Sequence, residues 1–242
     1  MAMQEPAGPS LVRQAMQAVT DHIRTNSLRV GDSLPGEVHF ATALGISRPV
    51  VREAFGALAA LRLVDVGNGR KPRVASLDGS AIAASLDHAV MTAQISVSEV
   101  WDVRRTIEVR TAELAARSRT PEEAQEILAL AQAIGDETDD LAAMTRDDIA
   151  FHQAIARATH NALFLHIVGS FGPLMEIAVP TAWSTRTAVE QRQLMVDRHL
   201  AVAEAIVAGD TAGAARAMDA HFDSSVGDLL KADFGGGIVR VS

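Results

Sequence analysis

From residue 80 to residue 231 the apolar side chains recur at helical spacing, and no strand-like alternation competes with that pattern until the tail. Consecutive amphipathic segments joined by short connections bury their stripes most simply against one another, as an antiparallel helical bundle. Helices are expected at about 80–94, 97–118, 121–137, 140–159, 161–178, 186–208 and 211–231. Ser98 ahead of Trp101 is the expected cap of the second. Thr120-Pro121-Glu122-Glu123 supplies a cap and an acidic first turn for the third, and Asn161 separates two others.

The front of the chain follows a different pattern. A helix is expected over Ser10 to Ser27, and the loop Gly31-Asp32-Ser33-Leu34-Pro35-Gly36 leads to a second at Glu37 to Leu44. Gly45-Ile46 then gives a tight turn, and Ser47 caps a third helix on which Val51, Phe55 and Leu58 form a core face. This is helix-turn-helix spacing. Arg48 and Arg52, four residues apart, project together near the positive end of the helix dipole, where they suit phosphate or guanine. The residues alone leave open which of the two reads a base. Leu61 to Val66, then Gly67-Asn68-Gly69-Arg70-Lys71-Pro72-Arg73-Val74-Ala75, reads as strand, glycine turn and strand, a wing with Gly69, Arg70 and Lys71 at its tip.

The expected fold is therefore mainly α. Residues 1–77 form a winged helix-turn-helix, residues 78–234 a helical metal- and effector-binding bundle, and residues 235–242 a flexible tail that could add an edge strand. Met1 to Pro9 is expected to fray.

Net charge is −8, which taken whole argues against nucleic acid, but residues 1–77 hold 9 Lys and Arg against 6 Asp and Glu while residues 78–242 hold 13 against 24. A basic front and an acidic back fit a DNA-binding module joined to a regulatory one. No apolar run approaches the roughly 18 residues of a membrane span, and the N-terminus lacks a basic-then-apolar leader, so a cytoplasmic protein is expected. The chain has no cysteine, so any metal must be held by His, Asp or Glu.

Four residues could do so. Asp148 and His152 lie four apart on one expected helix and point the same way. His199 stands 10 residues before Gly209 and His221 11 after Asp210, so a hairpin turning at Gly209-Asp210 brings the two imidazoles level, each roughly 15 Å from the turn. A bundle can bring all four to one interior point. One carboxylate and three imidazoles leave a divalent ion short of neutral with open positions for an anionic oxygen, and Arg104 could clamp a carboxylate beside it. Arg104 could equally be paired with Glu108 on its own helix face. His22, His39, His88, His160 and His166 show no comparable geometry.

Gly31-Asp32-Ser33-Leu34-Pro35-Gly36-Glu37 followed by Leu44-Gly45-Ile46-Ser47-Arg48-Pro49-Val50-Val51-Arg52-Glu53-Ala54 resembles the winged helix-turn-helix of the GntR superfamily of bacterial transcription regulators. Downstream, Arg104-Arg105-Thr106-Ile107-Glu108, Asp148-Ile149-Ala150-Phe151-His152, His199 and His221 resemble the ligand-binding helical domain of its FadR-like branch, called FCD. The resemblance implies a homodimer that binds a short palindromic operator and answers to a small organic acid held at a metal. It implies Asp148, His152, His199 and His221 as ligands, Arg104 as the partner of the effector carboxylate, and Arg48, Arg52 and the Gly69 wing tip at DNA. The family often has Ser-Glu-Arg after Leu-Pro, whereas this chain has Gly36-Glu37-Val38 and so lacks that arginine; Arg70, Lys71 and Arg73 make the wing more basic than many.

The reading is a metal-dependent, effector-responsive transcription regulator, a repressor released by its ligand, with zinc as the leading ion and nickel, manganese or cobalt compatible. Two alternatives stand beside it. One is a metal-dependent hydrolase using the same Asp/His site, for which no spare carboxylate offers itself as general base. The other is a purely structural metal with saturated coordination.

Overall fold

The computed structural model describes residues 10–67, 69–136 and 140–235. The chain divides into two compact units, Met1–Ala81 and Ile82–Ser242, each with its own apolar cluster. The tail beyond residue 235 and the stretch Met1 to Pro9 lie outside the described residues.

In the first unit α1 (Leu11–Thr25), α2 (Glu37–Leu44) and α3 (Arg48–Ala60) precede a two-stranded antiparallel ladder of β1 (Val64–Asp65) and β2 (Arg73–Val74). Val19 from α1, Phe40 from α2, and Val51, Phe55 and Leu58 from α3 meet in one core with Leu34 and Val64. Gly45 ends α2 in the left-handed region at φ 66°, which permits the tight turn into α3 without a Cβ penalty. Ser47 occupies the cap position of α3, but its side chain makes no capping bond; the cap expected from its hydroxyl is not formed. Pro49 in the first turn presets helical φ, so the helix starts without that bond. The ladder is shorter than expected, with Val64 opposite Val74 and Asp65 opposite Arg73, and the backbone of β2 also bonds to the loop before α2, Val74 N to Asp32 O and Gly31 N to Val74 O. Arg73 donates to the carbonyl of Gly31 at 2.6 Å, and Arg70 donates to both oxygens of Asp65 at 2.9 and 3.0 Å.

The second unit is helical throughout its described residues: α4 (Ser80–Met91), α5 (Val97–Ser118), α6 (Pro121–Asp136), α7 (Leu141–Ala158), α8 (Ala162–Ser170), α9 (Gly172–Ser184), α10 (Val189–Ala208) and α11 (Thr211–Gly235). The helix expected over 161–178 is two helices. The chain breaks at Phe171 and bends by 53°, where Gly172-Pro173 removes an N–H and disfavours helix just before the proline. The cap of α5 is Ser96 rather than Ser98: its hydroxyl accepts from Glu99 N at 3.2 Å while the Glu99 carboxylate accepts from Ser96 N at 2.7 Å. That capping box needs a Glu three residues on, which Ser96 has and Ser98 lacks. Thr120 and Glu123 form the same box on α6, and the Asn161 side chain accepts from Leu163 N to cap α8. Among the described residues no single helix is long and apolar enough to cross a membrane; only the bent pair α8 and α9 reaches that length together.

Candidate metal and effector centre and DNA-reading helix

Four helices supply the inner site of the second unit. Trp101, Arg104 and Glu108 recur on the buried face of α5 at helical spacing, and Asp148 and His152 do so on α7. His199 on α10 and His221 on α11 face each other across the hairpin that turns at Gly209, with ring centroids 4.4 Å apart. His152 lies 5.2 Å from the His221 ring and 6.2 Å from that of His199. One nitrogen from each of these three buried imidazoles falls within 4.8 Å of the others. Asp148 stands against one member of that set, its Oδ1 being 3.0 Å from His199 Nε2. The structure therefore brings together all four residues picked out as metal ligands.

The partners of each ring indicate which nitrogen faces inward. His199 lies between two acceptors, its Nδ1 2.9 Å from the carbonyl oxygen of Met195 and its Nε2 3.0 Å from Asp148 Oδ1, so with a single ring proton on Nδ1 the Nε2 lone pair would face the carboxylate. Two lone pairs at that separation need a proton or a cation between them. Ligand atoms bound to one ion at right angles and about 2.1 Å each sit about 3.0 Å apart. Burial pushes the Asp148 carboxyl up, but the hydrogen bond to His199 and the nearby imidazoles outweigh it and hold the group below the usual carboxylate range. Burial, with His199 and His152 close by, holds His221 well below the usual imidazole value, so it is neutral and its nitrogens can coordinate. A carboxylate oxygen and three imidazole nitrogens are a donor set that fits a divalent transition ion.

Arg104 is where the sequence placed it, at the site, but already engaged. It is 3% exposed, and its Nε donates to Glu108 Oε1 at 2.7 Å. Its guanidinium lies 4.8 Å from the ring centre of Trp101 and 5.4 Å from that of Phe222, and Nη1 touches Met175 Sδ. The pair with Glu108 is thus formed, but inside the bundle beside the histidines and not on a solvated helix face. Trp101, Arg104, Asp148, the three histidines and Trp183 line one cavity of about 30 Å³, room for one or two water molecules.

Three participants were not singled out in the sequence. Glu108, 1% exposed, also meets His152 Nδ1 with its second oxygen. Burial raises its carboxyl, but Arg104 and His152 outweigh that and bring it to about 2. The Trp101 indole N–H is buried without a hydrogen-bond partner, and its position three residues before Arg104 was the available signal. Arg186, just past α9, is buried on the cavity wall with its guanidinium 5.5 Å from the Trp183 ring. Residue 186 was expected to start the next helix, which instead begins at Val189.

On the first unit, Ser47, Arg48, Arg52, Gly69, Arg70 and Lys71 are all exposed. Arg52 is gripped from α2 by Glu37, Nε to Oε1 and Nη2 to Oε2, both at 2.9 Å. That hydrogen bond holds the Glu37 carboxyl below its ordinary value. Arg48 and Lys71 make no hydrogen bond or ion pair among the described residues.

Comparison with known proteins settles what such a pairing of units is. The family of bacterial regulatory proteins named gntR matches residues 11–74, and the FCD domain matches residues 99–224, more than half of the chain. The protein belongs to the GntR family, with an FCD domain. This GntR-family regulator is 29% identical over 217 residues to the HTH-type transcriptional regulator LutR of Bacillus subtilis, covering 88% of this chain and 97% of that one. It is 28% identical over 206 residues to the HTH-type transcriptional repressor NanR of Escherichia coli K12, covering 84% of this chain and 78% of that one. In fold it is similar to the Streptococcus agalactiae GntR structure, with a TM-score of 0.62, 23% identity and coverage of 88% and 97%. The GntR-family chain is a DNA-binding transcription regulator, mainly α as expected, and the hydrolase alternative falls with that assignment. Regulators of this family bind DNA and small-molecule effectors, and some FCD domains bind metal.

Proposed function

We propose that the protein is a cytoplasmic, homodimeric, metal-dependent repressor whose hold on a palindromic operator is released by a small carboxylate bound between the ion and Arg104. The observation that carries this is the convergence of Asp148, His152, His199 and His221, from three helices, on one buried cavity that also contains the Arg104 guanidinium. The four would hold a divalent ion, zinc first. When bound, the ion supplies a positive charge that draws in an anionic oxygen. One carboxylate leaves that ion incompletely neutralised, and the charge of Arg104 is balanced by Glu108, so the cavity favours an anion. A cavity beside Arg104 also argues against a purely structural metal.

The chain's own groups then define the ligand. Arg104 has Nη2 to offer a carboxylate, Nη1 lying against Met175, the Trp101 N–H offers a second donor, and Ile134, Val179 and Met195 present an apolar wall to a short carbon skeleton. A space of about 30 Å³ takes an ion and a water, not a whole acid, so the acid binds an opened form of the bundle. It shifts the protein toward that form by as much as it prefers it. On DNA, α3 would enter the major groove with Ser47, Arg48 and Arg52 at the bases and phosphates, and Gly69, Arg70 and Lys71 would bring the wing to the backbone. The repressor sign is supported by NanR, which is named a repressor.

The test is gel shift on an operator selected from random duplexes, with Zn2+-loaded protein and a panel of lactate, glycolate, gluconate, malonate and succinate. One acid is expected to release the DNA, and Arg104→Lys to lose that response while still binding DNA. Binding indifferent to chelator and to every acid overturns the reading.

A further inference from the structure

Glu108 stands between the two halves of the site and touches both. Its Oε1 accepts from Arg104 Nε at 2.7 Å, and its Oε2 meets His152 Nδ1. All three side chains are buried, and no other acid contacts either partner among the described residues. A carboxylate facing Nδ1 keeps the proton on that nitrogen, so the Nε2 lone pair of His152 is left for the ion. The same carboxylate holds the Arg104 guanidinium by Nε, while Nη1 lies against Met175 Sδ and Arg104 lines the cavity.

Resting on the metal and effector reading above, we infer that Glu108 is a positioning residue that links the two subsites. It sets the ring of one metal ligand and the fork of the effector clamp at once, so neither can shift without the other. His152, held as a ligand, would hold Glu108 through Nδ1, and Glu108 in turn would aim Arg104. A carboxylate drawing on Arg104 pulls on the same bridge from the other side. Only a carboxylate accepts from both partners, because it has two acceptor oxygens; an amide has one, and if its oxygen takes Arg104 its NH2 faces His152 Nδ1 and favours the tautomer that carries the proton on Nε2.

The experiment titrates Zn2+ against a competing chelator into the full chain for wild type, Glu108→Gln, Arg104→Met, the pair combined, and Asp148→Ala. Asp148→Ala is expected to lose most Zn2+ affinity. Glu108→Gln should lose roughly 10- to 100-fold, the range found when the partner of a ligating histidine is removed. Arg104→Met should alter Zn2+ affinity although Arg104 is no ligand, and its effect should fail to add to that of Glu108→Gln by about fivefold or more. A Glu108→Gln variant with wild-type affinity, beside a weakened Asp148→Ala, overturns this inference and leaves the metal site standing. An unaffected Asp148→Ala removes the metal site itself. Strict additivity overturns the link. A metal-free readout guards against misfolding: the charge-free variant Arg104→Met/Glu108→Leu removes both members of the buried pair together, which bundles tolerate better than removing one. Ring nitrogen shifts of His152 should report one Nδ1–H form in metal-free wild type and a mixture in that variant; the same form in both overturns the inference.

Discussion

Arg48 and Arg52 stand four residues apart on α3 and are held in different ways. Arg52 shares its charge with Glu37 through two bonds of 2.9 Å, whereas Arg48 extends from the first turn with no hydrogen bond or ion pair among the described residues and acts on Glu37 only through space. A phosphate contact made by an uncompensated arginine adds about 0.9 to the salt dependence of duplex binding. Arg48→Ala should therefore reduce the slope of log K against log salt by about one, and Arg52→Ala by less, since Glu37 already offsets that charge. Fluorescence anisotropy with an operator duplex over a salt series measures both, and equal reductions would contradict the assignment. Glu108 gives a second prediction of the same kind. Its folded carboxyl lies at about 2, below the ordinary 4.5, so the stability it contributes is complete above the ordinary value and is lost as pH falls toward the folded one. In urea unfolding of the metal-free protein, the gap between wild type and Glu108→Gln should be widest above pH 4.5 and narrow below it. These pairings were only half legible in the sequence. The spacing of Arg104 and Glu108 showed that they could meet, but the approach of Glu108 to His152 is a tertiary contact between α5 and α7 that no local spacing encodes.

Helix positions were legible where a cap and an apolar stripe agreed. The range 97–118 of α5 and the start of α6 at Pro121 follow from such agreement. Of the two serines before Trp101, only Ser96 has its Glu three residues later, and the structure uses that one. Ser96→Ala should cost about 1 kcal/mol of stability and Ser98→Ala close to nothing, read from urea midpoints. The bend at Phe171 was missed because Leu163 to Met175 carries apolar residues on both sides of it, which hides the break from a periodicity argument. Gly172-Pro173 was the local sign. The convergence of the candidate ligands was legible because two pieces of helix geometry suffice: a spacing of four from Asp148 to His152, and nearly equal reach of His199 and His221 from the turn at Gly209. Asp148 illustrates the remainder, since spacing gave its direction but not that it would face His199 alone.

At the scale of the whole chain, each unit buries its own cluster, Val19 to Val64 in one and Val100 to Phe222 in the other. Residues 82–242 expressed alone should fold, and Zn2+ at about 100 times its Kd should stabilise them by about 2.7 kcal/mol. A thermal-shift series with chelator as control tests this; a melting point that ignores Zn2+ would count against the ligand set. The tight cavity beside Arg104 bears on timing as well as affinity. On the function proposed above, a chamber that holds one or two waters at rest would give an arriving acid nowhere to sit until the helices part. The speed of response is then governed by how often the bundle breathes, and stopped-flow rates should climb with acid concentration only to a plateau. Beyond it, more of the proposed acid would deepen release from the operator without hastening it.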